Sequence, residues 1–326
     1  MDTAGLPFVI GIDIGGQTAK SGVVNARGEV LAQTIMVSNA HTDAQSFVEA
    51  LGATVKKLIS DAGIEGQVRG IGVGAPNGNY YTGEIKDAPN LSWAHEKNIP
   101  FSKMLSETMG GLPVALTNDA NAAAMGEMTY GVAKGMKNFI MITLGTGVGS
   151  GIVIDGNVLY GHDGFAGELG HTCAVRDGRV CGCGRKGCLE AYCSAIGVAR
   201  SANEWLEQHP DEPSLLRLRE NITSKDVYEA AKAGDKAAKE IFDFTGNILG
   251  RSFADFIAFS APEAIILFGG LARAREFLYE PALKSMNENV LPLWKDKVKL
   301  LFSSLSESDA AILGASALAW NLESTN

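Results

Sequence analysis

The sequence lacks any apolar run near the roughly 18 residues that a helix needs to cross a bilayer, and none of its first seven residues is basic. We therefore expect no membrane span and no signal peptide, and so a cytoplasmic protein. Positive charge is also scarce: 28 Lys and Arg stand against 37 Asp and Glu, a net charge of −9. Because nucleic-acid-binding proteins normally carry a basic face, this balance argues against nucleic acid as a partner.

Cysteine is sparse, with five residues, but four of them fall between Cys173 and Cys188. In a reducing compartment such a cluster is more typical of metal binding than of a disulfide framework. Glycine is abundant by contrast, at 39 of 326 residues, well above the average share of roughly 7%. The glycines gather at the ends of apolar runs, which favours tight turns and close approach of the backbone to a ligand.

Apolar strand-like runs alternate with helical periodicity, which predicts an α/β protein with mixed sheets. Residues 8–37 read as strand, glycine turn, strand, turn and strand, an antiparallel meander. Residues 139–160 repeat that layout, and the repeat indicates two structural halves of one design. Further on, residues 264–268 predict a buried strand and residues 308–320 a closing helix.

Three glycine turns each follow an apolar strand, and they are Asp13-Ile14-Gly15-Gly16-Gln17-Thr18, Gly145-Thr146-Gly147-Val148-Gly149 and Gly269-Gly270-Leu271-Ala272. Backbone N–H groups in such turns can face a phosphate, and a carboxylate at a strand end can hold hydrated Mg²⁺. Each turn alone could be no more than a tight turn, but three together favour nucleotide binding. None matches the Walker pattern, and the first two lead into strands rather than the helix of a dinucleotide fingerprint.

A second motif is the spacing H-x9-C-x-C-x4-C formed by His171, Cys181, Cys183 and Cys188. Three thiolates and one imidazole complete the tetrahedral set of a closed structural zinc site, which leaves no position for water or substrate. The alternative is a group of free cysteines. Compact Cys/His clusters in reducing compartments are seldom incidental, which favours the zinc site. Cys173 and Cys193 fall outside the spacing and are interpreted as packing residues.

Three carboxylates, Glu168, Glu190 and Asp119, are further candidates for binding or catalysis. Glu168 and Glu190 flank the Cys/His segment and could accept hydrogen bonds from sugar hydroxyls, or could be solvated surface charges. Asp119 follows Asn118 where a predicted strand meets a predicted helix. An Asp there could take the proton of an alcohol during phosphoryl transfer, with Asn118 bonding neighbouring hydroxyls. Alternatively the pair caps the helix, and both roles can coexist on adjacent residues.

Together these motifs resemble the ROK family of bacterial sugar kinases over nearly the whole chain. The resemblance rests on D-I-G-G (13–16), N-D-A-N (118–121), L-G-T-G-V-G-S-G (144–151), G-E-L-G-H (167–171), C-G-C-G-R-K-G-C-L-E (181–190) and the late G-G (269–270). It implies an actin-like ATPase (ribonuclease H-like) fold of two α/β lobes with the active site in a central cleft. The lobes would comprise residues 1–117 plus 308–326, and residues 118–307 with the zinc loop.

The resemblance also implies ATP, Mg²⁺ and structural zinc as cofactors, and a homodimer. Asp119 would be the general base and Asp13 a Mg²⁺ ligand. The residues implied to bind the sugar are Asn77, Asn90, Asn118, Asp119, Glu168, His171 and Glu190, with His171 binding zinc through one ring nitrogen and sugar through the other. Those implied to bind the nucleotide are Asp13, Gly15, Gly16, Gln17, Thr18, Thr146, Gly147, Gly269 and Gly270. Two positions depart from the family pattern: Gln17 stands where a Thr is usual, and Asn77 where many relatives have Gly.

We therefore predict ATP-dependent phosphorylation of a hexose hydroxyl, with glucose first and N-acetylmannosamine, N-acetylglucosamine, fructose and allose as alternatives. A second hypothesis is a ROK-type sugar-responsive repressor. Such proteins carry an N-terminal winged helix-turn-helix, whereas seven residues precede the first predicted strand here. A third is a catalytically silent sugar-binding protein, against which the intact Asn118–Asp119 pair argues.

Overall fold

The computed structural model describes residues 5–95, 97–305 and 307–322. The chain divides into two compact units, the first comprising Met1–Gly135, Val158–Ala166 and Ser304–Asn326 and the second Met136–Asn157 and Gly167–Ser303. A five-stranded sheet with helices forms the centre of each unit, which confirms the predicted α/β class. Among the described residues, no helix combines the length and apolar character that a bilayer span requires.

Elements are numbered in chain order over both units. The first unit contains β1 (Phe8–Ile14), β2 (Thr18–Asn25), β3 (Val30–Val37), α1 (Ala44–Asp61), β4 (Val68–Gly74), β5 (Ile85–Lys86), β6 (Asn98–Ile99), α2 (Phe101–Thr108), β7 (Val114–Thr117), α3 (Asp119–Tyr130) and α9 (Glu307–Trp320). Its large sheet has the order β3-β2-β1-β4-β7. Strands β1 to β3 form the predicted antiparallel meander, and β4 and β7 run parallel to β1. The carboxyl ends of β1, β4 and β7 therefore lie at one edge of the sheet, the usual place for ligands in α/β proteins.

Glycines let helix α9 lie directly on strands β1 and β4. A Cβ atom at Gly11 would stand 2.1 Å from the carbonyl oxygen of Ile312, and one at Gly72 would stand 1.9 Å from that of Ala315. Helices α3 and α9 approach as closely, since a Cβ at Gly126 would lie 2.9 Å from Gly314 Cα. These contacts place α3 in the first unit, whereas the predicted lobe boundary at residue 117 assigned it to the second. Residues 158–166 also belong to the first unit, whereas the prediction assigned them to the second lobe.

The second unit is built on a sheet of order β10-β9-β8-β11-β12. Its elements are β8 (Phe139–Leu144), β9 (Val148–Ile154), β10 (Asn157–Val158), α4 (Glu190–Cys193), α5 (Ala195–Gln208), α6 (Ser224–Lys232), α7 (Lys236–Ser260), β11 (Ala264–Phe268), α8 (Arg275–Asn289) and β12 (Lys299–Phe302). Strand β9 is antiparallel to β8, and β11 is parallel to β8 and β12. An antiparallel hairpin joined to parallel strands thus recurs in both units.

One predicted helix of the second unit is divided in two. The sequence pattern over residues 189–207 predicts one continuous helix, but the structure has α4 followed by α5, separated at Ser194. The Ser194 side chain accepts a hydrogen bond from Gly197 N at 3.0 Å, so it caps α5 at its start, as Ser commonly does. This capping explains why a continuous helical pattern in the sequence forms two helices.

Candidate active site

The edge of the first sheet carries the predicted turn between β1 and β2. Gly15 N donates to Thr18 O at 2.9 Å and closes the turn. A Cβ atom at Gly16 would stand 2.8 Å from the carbonyl oxygen of Asn90, so only glycine fits at that contact. The turn between β1 and β2 and the loop carrying Asn90 are therefore in contact at this edge. Gln17 is exposed and Thr18 begins β2.

Asn118 and Asp119 stand at the end of β7, where α3 begins. Asn118 is the N-cap of α3, and its Oδ1 accepts from Ala120 N at 2.9 Å. Asp119 Oδ1 accepts from the same N–H group at 2.8 Å. Capping is therefore provided by Asn118, and Asp119 does not need both of its oxygens for the helix. Asn118 thus has the capping role, and the catalytic role of Asp119 stays a prediction.

Asp13 lies close enough to Asp119 for its ionisation to respond to the charge of that carboxylate. Burial raises the pKa of Asp13 to about 6, the charge of Asp119 raises it further in the same direction, and Lys20 opposes the shift. Asp119 is exposed, and the protein atoms near its carboxyl group raise its pKa, against the hydrogen bond from Ala120 N. Neighbouring carboxylates with raised pKa values favour a bound cation or a proton.

Replacing Asp13 with Asn should raise the melting temperature of the metal-free protein at pH 7.5 by a few degrees. The pKa of Asp13 rises from 3.8 to about 6 on folding, so the wild-type protein loses stability as pH increases through that interval. The neutral amide removes this cost. Near pH 4 or below the carboxyl is largely protonated in the folded chain, so the gain should shrink towards zero. Thermal unfolding of both proteins at the two pH values measures it, and an equal gain at both would contradict the pKa shift.

The two predicted sugar-binding amides of the loop after β4 are placed differently. Asn77, at a φ of 52°, donates from Nδ2 to Lys86 O at 3.0 Å and to Asp87 O at 2.8 Å. Its amide nitrogen therefore holds its own loop, which leaves Oδ1 as the atom that could accept from a ligand. Asn90 is exposed. Sugar binding by either residue stays a prediction.

In the second unit, two glycine turns meet at the end of β8. The turn Gly145–Gly149 follows β8 directly, and Gly145 N donates to Gly147 O at 3.0 Å. A Cβ atom at Gly269, whose φ is 102°, would stand 2.6 Å from Leu144 O. The Gly269–Gly270 pair thus lies beside the same strand end. The residues that follow this pair form a 3₁₀ turn, Gly270–Ala274, and α8 begins at Arg275.

The structure brings all four predicted metal ligands together. The candidate donor atoms of His171, Cys181, Cys183 and Cys188 lie within 4.8 Å of one another. Cys183 Sγ and Cys188 Sγ are 3.7 Å apart, and Cys181 Sγ is 3.7 Å from His171 Nδ1. Ligands about 2.0–2.3 Å from a tetrahedral zinc ion are themselves about 3.5–3.8 Å apart. The cluster therefore fits a closed zinc site, with Nδ1 of the imidazole turned towards the sulfur atoms.

The two cysteines outside the cluster differ from each other. Cys193 is buried and its sulfur lies 3.7 Å from Thr245 O in α7, as expected for a packing residue. Cys173 is exposed, so its assignment to packing was wrong. Its backbone pairs with Cys188 in an isolated bridge, which places the residue at the rim of the Cys/His segment.

The acids next to the Cys/His cluster are fixed by the backbone around them. Glu168 precedes the 3₁₀ turn Leu169–His171. Ser150 in β9 holds that turn, since its Oγ donates to Gly167 O and accepts from Leu169 N at 3.0 Å. Glu190 begins α4, and its Oε2 accepts from Val148 N at 2.9 Å. Glu190 is therefore held against the start of β9, and the backbone on both sides of Glu168 is held by Ser150.

Sequence reasoning missed Arg179, which anchors the Cys/His segment to α5. Only 9% of Arg179 is exposed. Its guanidinium donates to Glu204, to Ser201 Oγ at 3.0 Å, and to the carbonyl oxygens of Ala191 and Gly197. It also lies over the ring of Tyr192, 4.5 Å from the centroid. None of these partners is a sequence neighbour of Arg179, so no local pattern could have identified it.

Comparison with known proteins agrees with this geometry. The ROK family model matches residues 9–321. The chain is 35% identical over 312 residues to a glucokinase of Halalkalibacterium halodurans, covering 94% of this chain and 93% of the relative. It is 32% identical over 313 residues to a glucokinase of Thermotoga maritima, with coverages of 95% and 96%.

Solved structures give the same relationship. A ROK family glucokinase from Streptomyces griseus, solved with glucose and AMPPNP, superposes with a TM-score of 0.77 at 33% identity and covers 95% of this chain and 98% of its own. A ROK family transcriptional regulator superposes with a TM-score of 0.85 at 28% identity, covering 96% of this chain but 77% of its own. The actin-like ATPase fold predicted from the motifs is thereby confirmed. The chain belongs to the ROK family.

Proposed function

We propose that this protein is an ATP-dependent hexokinase-type enzyme that converts glucose to glucose 6-phosphate. The observation that carries the proposal is the arrangement at the end of β7: Asn118 caps α3, and the exposed Asp119 uses only Oδ1 in its hydrogen bond with Ala120 N. The surrounding protein atoms raise the pKa of this carboxylate, which makes it a better proton acceptor, as a general base requires. The glucokinases among the relatives support the choice of reaction.

In the proposed reaction Asp119 accepts the proton of the sugar hydroxyl as that oxygen attacks the terminal phosphorus of ATP, and the bond from this phosphorus to the bridging oxygen breaks to release ADP. Asn118, Asn90 and the free oxygen of Asn77 orient neighbouring hydroxyls. The glycine turns at residues 15–18, 145–149 and 269–270 present backbone donors to the nucleotide. Asp13 would hold Mg²⁺, which when bound neutralises charge on the phosphate oxygens.

The Cys/His cluster would hold zinc in a structural role. Its four protein ligands leave no open position, so the metal would brace the segment from His171 to Cys188 rather than act on substrate. Glu168 and Glu190, at the two ends of that segment, would accept hydrogen bonds from sugar hydroxyls. His171 would contribute as well, since its Nε2 remains free when Nδ1 faces the metal.

A coupled-enzyme assay with ATP, Mg²⁺ and a panel of hexoses tests the proposal. Glucose should give the highest kcat/KM among glucose, N-acetylmannosamine, N-acetylglucosamine, fructose and allose. A higher value for another sugar would change the substrate and keep the reaction class. If none of the sugars is phosphorylated in the presence of ATP, the kinase assignment is overturned.

We further propose a homodimer that acts in the cytoplasm and has no nucleic-acid partner. The net charge of −9 supports the absence of a nucleic-acid partner, because a negatively charged protein and the phosphates of nucleic acid repel each other. Sedimentation analysis tests the dimer. Gel retardation with DNA tests the repressor alternative, which the similarity to a ROK transcriptional regulator brings into consideration, and sequence-specific retardation would favour that alternative.

A further inference from the structure

Glu190 contacts the glycine turn between β8 and β9 as well as the Cys/His cluster. Its Oε2 accepts from Val148 N at 2.9 Å, and a Cβ atom placed on Gly147 would stand 2.5 Å from that oxygen. The carboxylate thus occupies the space that the missing side chain of Gly147 leaves open. Its other oxygen, Oε1, lies 3.4 Å from Cys181 Sγ. One side chain therefore joins the metal cluster to the turn.

Two residues on either side of the Cys/His segment, Gly170 and Ala195, also contact the turn. Gly170 packs on the Val148 carbonyl so closely that a Cβ there would lie 2.0 Å from its oxygen. Ala195 N, at the start of α5, donates to Gly145 O at 2.8 Å. The turn is consequently clamped by residues that lie next to the Cys/His cluster in sequence, and Glu190 supplies the contact to its centre.

The hydrogen bonds of the turn divide its N–H groups into two sets. Those of Gly145, Val148 and Gly149 are committed to Gly147 O, Glu190 Oε2 and Thr143 Oγ1. Those of Thr146 and Gly147 have no hydrogen-bond partner among the described residues. These two adjacent donors, with the Thr146 hydroxyl, are the groups that a phosphate could take. Their direction depends on the peptide that Glu190 holds.

We propose that Glu190 is a positioning residue for the nucleotide: it fixes the Gly145–Gly149 turn in the shape that presents Thr146 and Gly147 N–H groups to phosphate. This inference rests on the proposed function, in which that turn binds ATP, and adds to the sugar contact proposed for the same residue. Electrostatics alone predicts the opposite effect, because a carboxylate beside a phosphate repels it and its removal should tighten binding. The sign of the effect therefore separates positioning from simple charge.

The test measures binding of AMPPNP with Mg²⁺ by isothermal titration calorimetry in the absence of sugar. Glu190→Ala should raise the Kd about tenfold or more, since the loss of a charge-assisted hydrogen bond releases the turn. Glu190→Gln should stay within about threefold of wild type, because its amide oxygen can still accept from Val148 N. Glu168→Ala is the matched control, an acid at the other end of the same segment, and should leave the AMPPNP Kd unchanged while raising the KM for glucose.

A second variant avoids any change to the Cys/His segment. Gly147→Ala introduces a methyl group at the position of the Glu190 carboxylate and should weaken AMPPNP binding by a similar factor. In a Glu190→Ala background the same change meets open space, so the double variant should bind no worse than Glu190→Ala alone. Zinc analysis of each protein would show whether Glu190→Ala loses metal. If it does, the AMPPNP Kd of Gly147→Ala alone tests the positioning role of Glu190.

Wild-type affinity, or tighter binding, in both Glu190→Ala and Gly147→Ala would overturn the positioning role while leaving the kinase assignment intact. Loss of affinity in Glu190→Gln equal to that in Glu190→Ala would also overturn it, because the hydrogen bond would then not matter. Failure of the wild-type protein to bind AMPPNP at all would instead overturn the proposed function, and this inference with it.

Discussion

Replacing Asp119 with Asn should lower kcat for hexose phosphorylation by about 10²- to 10⁴-fold, the usual contribution of a general base. The amide has nearly the same shape and can still accept from Ala120 N through Oδ1, as the carboxylate does at 2.8 Å. It cannot take up a proton from the sugar hydroxyl. Asp119 is exposed, so exchanging its carboxylate for a neutral amide of the same shape should disturb little packing. The neutral variant should therefore fold about as stably as wild type.

Steady-state kinetics and thermal unfolding together check this expectation. The KM values for ATP and glucose should change by no more than a few-fold, because the proton is transferred in the transition state rather than on binding. Asn118→Ala is an informative companion, since it removes the α3 N-cap and should cost about 1 kcal/mol of stability. Turnover by Asp119→Asn above one tenth of the wild-type rate would exclude Asp119 as the base.

The strands could be predicted well where the chain is continuously apolar. Strands β4, β8 and β11 have the bounds that their runs of Val, Ile, Leu and Phe indicate, because buried strands carry their signal within a few neighbouring residues. Helix α2 was missed, being eight residues long. The grouping of α3 with the first unit could not be predicted, since it depends on contact between Gly126 and Gly314, which are far apart in the chain.

The site could be predicted as a set of residue types, and its connections could not. Strand ends, glycine turns and Cys/His spacing are local patterns, so the sequence located the four candidate metal ligands and the Asn118–Asp119 junction. Which of that pair caps the helix depends on side-chain geometry. The contact from Glu190 to Val148 joins residues 42 positions apart, and Arg179 bonds α5 across 22 to 25 positions. Long-range hydrogen bonds of this kind leave no periodic trace in a sequence.

Replacing Cys183 with Ser should remove zinc and lower the melting temperature by about 10 °C or more. Cys183 is exposed, so the change from sulfur to oxygen costs little packing and isolates the loss of a metal ligand. Zinc bound by thiolates contributes folding free energy directly, because the ligands are not preassembled in the unfolded chain. Atomic absorption on purified protein and thermal unfolding in the presence and absence of a chelator measure the two effects.

Cys173→Ser provides the matched control for that experiment. Cys173 is also exposed and lies beside the same segment, but it is outside the four-residue cluster. It should therefore keep one zinc ion per chain and the wild-type melting temperature. The KM for glucose should rise more than tenfold in Cys183→Ser alone, because Glu168 and Glu190 stand at the ends of the segment that zinc would brace. Equal zinc content in the two variants would mean that the cluster, despite sulfur atoms 3.7 Å apart, does not depend on metal for its geometry.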